Sequence, residues 1–216
     1  MDSWMGCSVG RPDYTMRFDL RIIASWIDAG SKVLGLGCGE GDLLYFLKKN
    51  KNVRETGIEI KEEKVAGCIE KGITVLQGDI NEEITDYPDN SFDYVILSQT
   101  LQQVYEPEAL IRSMIRVGKK GVVSFPNFGH WRIRLQLMRT GRAPVTKELP
   151  YEWYNTPNIR VLSLKDFRLF SQRAGFSILK EAAIDTGSNQ VHGSIIRRMP
   201  NAFATYGIYL IGGGRR

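Results

Sequence analysis

The sequence predicts an α/β fold: one domain with a seven-stranded, mostly parallel sheet, helices on both faces and an antiparallel last strand. Three observations support this prediction. Short apolar runs alternate with amphipathic stretches up to residue 125, which is typical of right-handed βαβ units. The first apolar run ends in a turn that contains three glycines. Residues 176–184 and 204–211 are strand-like runs with no helix-length apolar pattern between them, which predicts a closing antiparallel hairpin.

The two ends of the chain depart from this regular pattern. Residues 1–15 contain glycine and proline without a helical stripe, so we expect a disordered extension, with Met16 as a candidate native start. The domain is expected to span residues 16–211, and residues 212–216 are expected to be a tail. Residues 17–29 carry apolar side chains at helical spacing, which predicts the helix that leads into the first strand.

The turn after the first strand is the most informative segment. Gly37, Gly39 and Gly41 follow the strand at G-x-G-x-G spacing, and an amphipathic helix begins immediately afterwards. A turn without Cβ atoms lets a ligand approach free backbone N–H groups at the positive end of a helix. Glu40 and Asp42 would repel a pyrophosphate but suit a cationic ligand. We therefore expect a nucleoside-like cofactor here, with tight packing as the alternative explanation of the glycines.

Polar residues mark the ends of the later strands. Glu59 lies at the end of the second strand, eighteen positions after Gly41. In sheets of this kind, an acid at the end of the second strand accepts hydrogen bonds from ribose hydroxyls. Asp79 follows the third strand, and Ser98 ends the fourth, which opens with Asp93. Each could separately be a solvated strand end, a turn residue or a cap, but their recurrence at successive strands predicts one ligand site along the sheet.

Composition excludes several classes of protein. A hydrophobic fraction of 43% with 25% charged residues is ordinary for a globular domain. No apolar run approaches the roughly 20 residues of a transmembrane helix, and no signal-peptide pattern is present. Three cysteines without a C-x-x-C pair fit a reducing cytoplasm, and Cys38 fits the glycine turn because it is small. With only two histidines, no metal site is expected.

The net charge of +5 hides a strong asymmetry along the chain. Residues 1–108 carry 11 Lys and Arg against 19 Asp and Glu, whereas residues 109–216 carry 18 against 5. The basic half could contact an anionic substrate, an acidic partner protein or a nucleic acid. Nucleic acid is disfavoured because clustered basic runs with interleaved aromatics are almost absent. The residues that come closest to such a cluster are Arg132, Arg134, Arg139 and Arg142.

Residues 126–158 interrupt the alternation of strands and helices. This segment holds four of the eight prolines and two of the four tryptophans, and it starts at the end of the fifth strand. Long, irregular, aromatic-rich connections are usually functional, so we expect a cap or a docking surface, with a simple covering loop as the alternative. His130 is the candidate catalytic base in this segment, although a lone histidine is more often structural.

The glycine turn and the strand ends together resemble the class I methyltransferase fold, a Rossmann-like fold that binds S-adenosylmethionine. Residues 33–41 match the usual first motif of that family, V-L-D-L-G-C-G-x-G, except at Gly35. The family has an acid at this position, which helps to orient the amino-acid end of the cofactor. The resemblance implies S-adenosylmethionine or S-adenosylhomocysteine as the cofactor. The cofactor-binding residues that it implies are Gly37, Cys38, Gly39, Gly41, Glu59, Ile60, Asp79, Ile80 and Ser98.

Within that set the resemblance implies three particular roles. Glu59 would take the ribose hydroxyls, Asp79 would face the adenine amine, and Ile80 would pack on the adenine ring.

Longer runs carry a more specific resemblance. Residues 124–132 (SFPNFGHWR) and 149–159 (LPYEWYNTPNI) are similar to signature runs of the MetW family, as are residues 98–102 and 199–203. The similarity covers about residues 16–211. It implies a bacterial cytoplasmic protein of methionine biosynthesis that works beside a homoserine O-acyltransferase, which is an α/β-hydrolase enzyme.

Functions of different classes remain open at this point. The chain could be a partner or activator subunit that senses S-adenosylmethionine, or a methyltransferase that acts on a small molecule or on the partner protein. RNA methylation is a weaker alternative that depends only on the basic half. The G-x-G-x-G spacing and the terminal hairpin disfavour an NAD-linked oxidoreductase. Gly35 and the lack of a clear base favour the partner hypothesis, although methyl transfer can proceed largely by proximity and orientation.

Overall fold

A computed structural model of the chain describes residues 16–146, 149–186 and 190–214. The predicted extension of residues 1–15 lies outside the described residues, as do residues 215–216 of the predicted tail. The strands are β1 (Lys32–Leu36), β2 (Arg54–Glu59), β3 (Val75–Gln77), β4 (Phe92–Ser98), β5 (Gly118–Pro126), β6 (Phe176–Asp185), β7 (Ser194–Ile195) and β8 (Tyr206–Gly213). The α-helices are α1 (Phe18–Trp26), α2 (Asp42–Lys51), α3 (Glu62–Glu70), α4 (Ile80–Glu83), α5 (Pro107–Val117), α6 (Trp131–Thr140), α7 (Leu164–Ala174) and α8 (Pro200–Phe203).

The described strands form one sheet in the order β3-β2-β1-β4-β5-β8-β6-β7. β1 to β5 are parallel to one another, and β8 runs antiparallel between β5 and β6. The mostly parallel sheet with an antiparallel last strand is therefore confirmed. Beyond the seven predicted strands, the two-residue strand β7 pairs with β6 at the edge. The last strand also continues to Gly213, so the first two residues of the predicted tail belong to the sheet.

Helices cover both faces of the sheet because successive strand residues point to opposite sides. On one face Leu34 and Leu36 of β1 pack with α5 and α7 in one buried cluster. On the other face Val33 packs with α1 and α2 in a second cluster. β4 divides in the same way, with Val95 and Leu97 in the first cluster and Tyr94 and Ile96 in the second. Both faces are apolar, which is why these strands read as continuous hydrophobic runs.

Asp93 lies at the amino end of β4, and this corrects its predicted place in the ligand site. One carboxylate oxygen accepts the backbone N–H of Lys32 in β1 at 2.8 Å, and the other accepts Lys119 Nζ in β5 at 2.8 Å. Asp93 therefore ties β4 to both neighbouring strands, at the edge of the sheet opposite to the glycine turn.

The irregular segment after β5 is anchored where it begins and where it ends. The Asn127 amide donates to the carbonyls of Ala204 and Asn201, at 2.8 and 3.1 Å. Just after the segment, the backbone N–H of Arg160 donates to the Gln102 carbonyl at 3.0 Å, and the Arg160 guanidinium donates to the Tyr105 carbonyl. The segment is thus held beside the loop that follows β4. No helix in the described ranges is both long and apolar enough to span a membrane.

Candidate ligand-binding site

A cavity of about 840 Å³ opens at the carboxyl ends of β1 to β4. The strand order reverses between β1 and β4, and ligands bind at such a switch point in open α/β sheets. The structure brings eight of the nine sequence-predicted cofactor residues to the wall of this cavity: Gly37, Cys38, Gly39, Glu59, Ile60, Asp79, Ile80 and Ser98. The ninth, Gly41, lies in the same turn as the N-cap of α2 but does not line the cavity.

The glycine turn presents bare backbone to the cavity. Gly37, Gly39 and Gly41 have φ of 61°, 60° and 76°, which is the left-handed region that favours glycine. A Cβ on Gly39 would meet no described atom within 4 Å, so it would project into open space at the cavity. A Cβ on Gly41 would lie 2.9 Å from Cys68 Sγ, so this glycine is also required by packing. Both explanations of the glycine turn therefore apply, at different positions.

Glu59 connects the end of β2 to the glycine turn. Its side chain is buried, with the residue 5% exposed. Oε2 accepts the backbone N–H of Gly39 at 2.8 Å, and Oε1 accepts that of Lys61 at 3.1 Å. Carboxylate oxygens can each accept further hydrogen bonds, so a ligand hydroxyl can still bind here. The carboxylate is thus pre-positioned by the protein at the cavity wall.

Asp79, Ile60 and Ile80 form the side of the cavity next to β3. Asp79 Oδ1 accepts the backbone N–H of Asn81 at 2.8 Å and so caps α4. Ile60, directly after β2, is 61% exposed, so its apolar side chain is accessible at the cavity wall. This side combines apolar surface with one carboxylate, a combination that suits a flat heteroaromatic ring with a donor group.

The two acids of the glycine turn are less available to a ligand than the sequence suggested. Lys71 Nζ lies 2.6 Å from Asp42 Oδ1 and 3.8 Å from Glu40 Oε2. The hydrogen bond to Asp42 raises the pKa of Lys71, so this lysine stays charged. Lys71 offsets one of these two negative charges, and both acids still line the cavity. Their attraction for a cationic ligand is therefore weakened, and it stays a prediction.

Cys38 and Cys68 are adjacent thiols beneath the turn, with their sulfur atoms 3.9 Å apart. Cys68 Sγ also donates to the Gly39 carbonyl at 3.1 Å. Burial raises the pKa of both thiols, which keeps them protonated and weakly nucleophilic. A Cβ on Gly57 would come within 2.6 Å of Cys38 Sγ, so the space around this sulfur is tight. These contacts favour the packing explanation of Cys38 over reactive chemistry.

His130, the candidate base, does not line the cavity. It is the N-cap of α6, where its Nδ1 accepts the backbone N–H of Arg132 at 3.3 Å. The residue is only 8% exposed. The sequence placed it near the site because it follows β5, but the chain turns into α6 there and uses the imidazole as a helix cap. This location gives His130 a structural role.

Several cavity residues were not selected from the sequence. Arg17 at the start of α1 lines the cavity, although the sequence identified it only as the beginning of a helix. Gln99 has φ of +52°, a conformation that costs a non-glycine residue of order 1–3 kcal/mol. The other cavity residues missed in this way, from the loop after β4 and from the irregular segment, are Thr100, Gln103, Val104, Tyr105, Tyr151 and Pro157.

Known proteins resemble this chain in sequence and in fold. A family model described as "Methionine biosynthesis protein MetW" matches residues 17–211. The bifunctional methionine biosynthesis protein MetXA/MetW of Rhodopirellula baltica is 36% identical over 165 residues, which are 72% of this chain and 26% of that protein. This chain thus spans about a quarter of the length of that curated relative.

Solved structures with low sequence identity establish the fold alone. A methyltransferase from Thermotoga maritima, described as S-adenosylmethionine-dependent and a possible histamine N-methyltransferase, matches with a TM-score of 0.66 and 17% identity over 90% of this chain and 86% of that one. The [4+2]-cyclase SpnF matches with a TM-score of 0.65 and 19% identity over 96% and 87% of the two chains. From the family model, which covers nearly all of the described domain, and from this fold, we conclude that the chain belongs to the MetW family of methionine biosynthesis proteins.

Proposed function

We propose that this protein binds S-adenosylmethionine or S-adenosylhomocysteine and acts as the partner subunit of a homoserine O-acyltransferase in methionine biosynthesis, in the cytoplasm. The observation that carries the proposal is the cavity at the switch point, with Glu59 held against the glycine turn. A volume of about 840 Å³ is within the range of small-molecule sites. The bare backbone at Gly39 and the buried carboxylate beside it fit a ribose, since a Cβ would occupy that space.

The cofactor orientation follows from the order of the strands. We propose that the adenine lies against Ile60 and Ile80 with its amine toward Asp79, and that the ribose hydroxyls donate to Glu59. The 5′ substituent would then extend past Gly37 toward Ser98. When bound, S-adenosylmethionine supplies an activated methyl group, and S-adenosylhomocysteine is the same ligand without it.

The partner role is supported by the relative from Rhodopirellula baltica, whose name joins MetXA and MetW in one chain. The joining of the two names in one protein supports association of the corresponding separate proteins. The irregular segment carries exposed aromatic side chains on its surface: Trp153 is 75% exposed and Tyr154 is 70% exposed, with their rings 5.7 Å apart. Exposed large aromatics of this kind are typical of protein interfaces.

Methyl transfer is the second candidate function, and one observation favours it. The cavity extends beyond the proposed cofactor positions to Tyr105, Tyr151 and Pro157, which leaves room for an acceptor. Against it, the described residues that line the cavity include no histidine, and Gly35 replaces the usual acid. SpnF, named a cyclase, indicates that this fold also serves proteins with other named activities.

Calorimetry and two activity assays test these candidates. We expect S-adenosylhomocysteine to bind the protein, and the acyltransferase of the source organism to show higher activity with the protein than without it. Methyl transfer from labelled S-adenosylmethionine to the acyltransferase or to homoserine is the contrasting measurement. No heat of binding at millimolar nucleoside would refute the cofactor proposal. Unchanged acyltransferase activity together with methyl transfer would favour the enzyme.

A further inference from the structure

A buried carboxylate organises two polar side chains on the cavity wall. Arg17 and Gln99 both line the cavity, and both bind Asp19, which does not. The Arg17 guanidinium donates through Nε to Asp19 Oδ1 at 3.1 Å and through Nη2 to Oδ2 at 2.7 Å. The Gln99 amide donates to Oδ2 at 2.7 Å. The Asp19 side chain is 3% exposed and that of Arg17 is 38% exposed, so the carboxylate is shielded from water while the guanidinium stays accessible.

These contacts determine which groups face a ligand. A carboxylate only accepts hydrogen bonds, so the Gln99 amide must direct its nitrogen at Asp19 and keep Oε1 as its remaining acceptor. Arg17 uses Nε and Nη2 on Asp19, so the two N–H groups of Nη1 take no part in that pair. The cluster therefore offers the cavity a cationic donor and a neutral acceptor side by side.

The backbone of Gln99 is held in an unusual conformation at this point. Its φ of +52° is left-handed. Its N–H donates to the Ser124 carbonyl at 2.8 Å and to Ser124 Oγ at 3.2 Å, and its carbonyl accepts the Gln102 amide at 2.8 Å. These contacts hold the Gln99 backbone in this conformation and so fix where its side chain begins.

The cluster lies at the end of the cavity away from the proposed adenine position. Gln99 follows β4, whereas Asp79 follows β3, and β2 and β1 lie between those strands. Three strand spacings correspond to about 14 Å, which is the scale of an adenosine with an extended 5′ substituent. Beside the cluster Gly35 has no carboxylate, and a Cβ there would lie 3.1 Å from Leu44 Cδ1 and 3.3 Å from Cys38 Cβ.

We infer that Arg17 and Gln99 hold a zwitterionic amino-acid group at the 5′ end of the bound nucleoside. Arg17 Nη1 donates to the ligand carboxylate, and Gln99 Oε1 accepts from the ligand ammonium, while Asp19 orients both. The inference rests on the proposed nucleoside site and specifies how that site selects its ligand. The Arg17 guanidinium and the Gln99 amide thereby recognise the amino-acid group of the ligand. Gly35, which lies where the family has an acid, supplies no charge for this purpose.

Ligand analogues test this inference on the unaltered protein. By calorimetry, we expect S-adenosylhomocysteine to bind roughly ten- to a hundredfold more tightly than its decarboxylated analogue, 5′-(3-aminopropylthio)-5′-deoxyadenosine. The deaminated analogue, 5′-(3-carboxypropylthio)-5′-deoxyadenosine, should also bind more weakly. Equal affinities of all three ligands would overturn the inference and leave the nucleoside site intact. No binding of any of them would refute the proposed function itself.

Variants assign the two contacts. Because Arg17 alone cannot be removed without leaving the Asp19 charge buried, the first variant combines Arg17→Met with Asp19→Asn. It should lose the preference for S-adenosylhomocysteine over the decarboxylated analogue. Gln99→Met should lose the preference over the deaminated analogue only. Arg21→Met, one turn along α1 and off the cavity, is the matched control and should keep both preferences, with thermal melting used to verify that each variant is folded.

Variants that retain the wild-type preferences would overturn the assignment to Arg17 and Gln99. If the first variant fails to fold, Gln99→Met and the unaltered protein still decide the inference.

Discussion

At the level of single residues, Glu59 holds the glycine turn through Gly39 and also lines the proposed ribose position. The same carboxylate therefore shapes the glycine turn and, in the proposed binding mode, accepts the ribose hydroxyls. A substitution there affects both, since the Gly39 N–H loses its acceptor in the turn.

We expect Glu59→Ala to weaken the binding of S-adenosylhomocysteine by roughly ten- to a hundredfold. The ribose hydroxyls would lose their acceptor, and a buried polar group without a partner costs about 1–3 kcal/mol. Isothermal titration calorimetry measures this change. Glu63→Ala replaces an exposed acid of α3 that does not line the cavity; this variant is the control and should bind as the wild type does. An unchanged affinity of Glu59→Ala would mean that the ribose does not lie at this carboxylate.

At the level of elements, Asp93 links three neighbouring strands at the amino edge of the sheet. Hydrogen bonds from Lys119 and from the backbone of Lys32 lower the pKa of its carboxyl. A carboxyl whose pKa is lower in the folded state stabilises the fold at pH values above its unfolded pKa. That stabilisation is lost as the pH falls through the folded pKa.

We therefore expect Asp93→Asn to melt at a lower temperature than the wild type at pH 7. The difference should shrink as the pH falls below about 4, where the wild-type carboxyl also becomes protonated. Thermal denaturation followed by circular dichroism across this pH range measures the effect. A difference in melting temperature that stays constant down to pH 2.5 would contradict it. Glu63→Gln replaces an exposed acid that bridges no strands among the described residues, and it should change the melting temperature less.

The irregular segment is the second element with a predicted role. If its aromatic surface docks on the acyltransferase, Trp153→Ala should weaken association by at least about 2 kcal/mol, because tryptophan anchors dominate interface energetics. It should also lower acyltransferase activity and leave S-adenosylhomocysteine binding nearly unchanged. Surface plasmon resonance against the immobilised acyltransferase gives the affinity.

Leu179→Ala is the matched control for Trp153→Ala, since Leu179 is an exposed apolar residue on β6 outside this segment. Both variants should remain folded. Equal binding of the two variants would reject the docking surface. Loss of a methyl-transfer activity without loss of binding would instead identify the segment as a substrate lid.

At the level of the whole molecule, the charge asymmetry has a kinetic consequence. Residues 109–216 carry 18 Lys and Arg against 5 Asp and Glu, and this half includes the irregular segment. We expect association with an acidic face of the acyltransferase to slow severalfold between 50 and 300 mM salt, because salt screens long-range attraction. Binding of S-adenosylhomocysteine, whose amino-acid group is zwitterionic, is the internal reference. An association rate independent of salt would exclude electrostatic steering.

Much of this fold could be predicted from the sequence because its strands are continuous apolar runs and its glycine turn is local. Glu59, Asp79 and Ser98 were identified because strand ends in a parallel sheet converge on one edge. Asp93 was wrongly grouped with these strand-end residues, since it opens β4 and the amino ends of parallel strands lie at the opposite edge of the sheet. Arg17 and Gln99 could not be selected, since their link through Asp19 joins residues about 80 positions apart. The prediction for His130 depended on its place after β5, whereas a local contact determines where its side chain lies: the imidazole caps α6 and does not line the cavity.

The position of β8 has a consequence for how the protein is made. The strand lies between β5 and β6, yet the ribosome synthesises it after both. Until β8 emerges, β5 is an open edge with Val122, Val123 and Phe125, all fully buried later, on its two faces. Open apolar edges pair readily with other chains. The nascent protein therefore exposes the apolar strand β5 for the time needed to translate about 80 residues. We expect a chaperone that binds extended apolar segments to bind the nascent chain during this time.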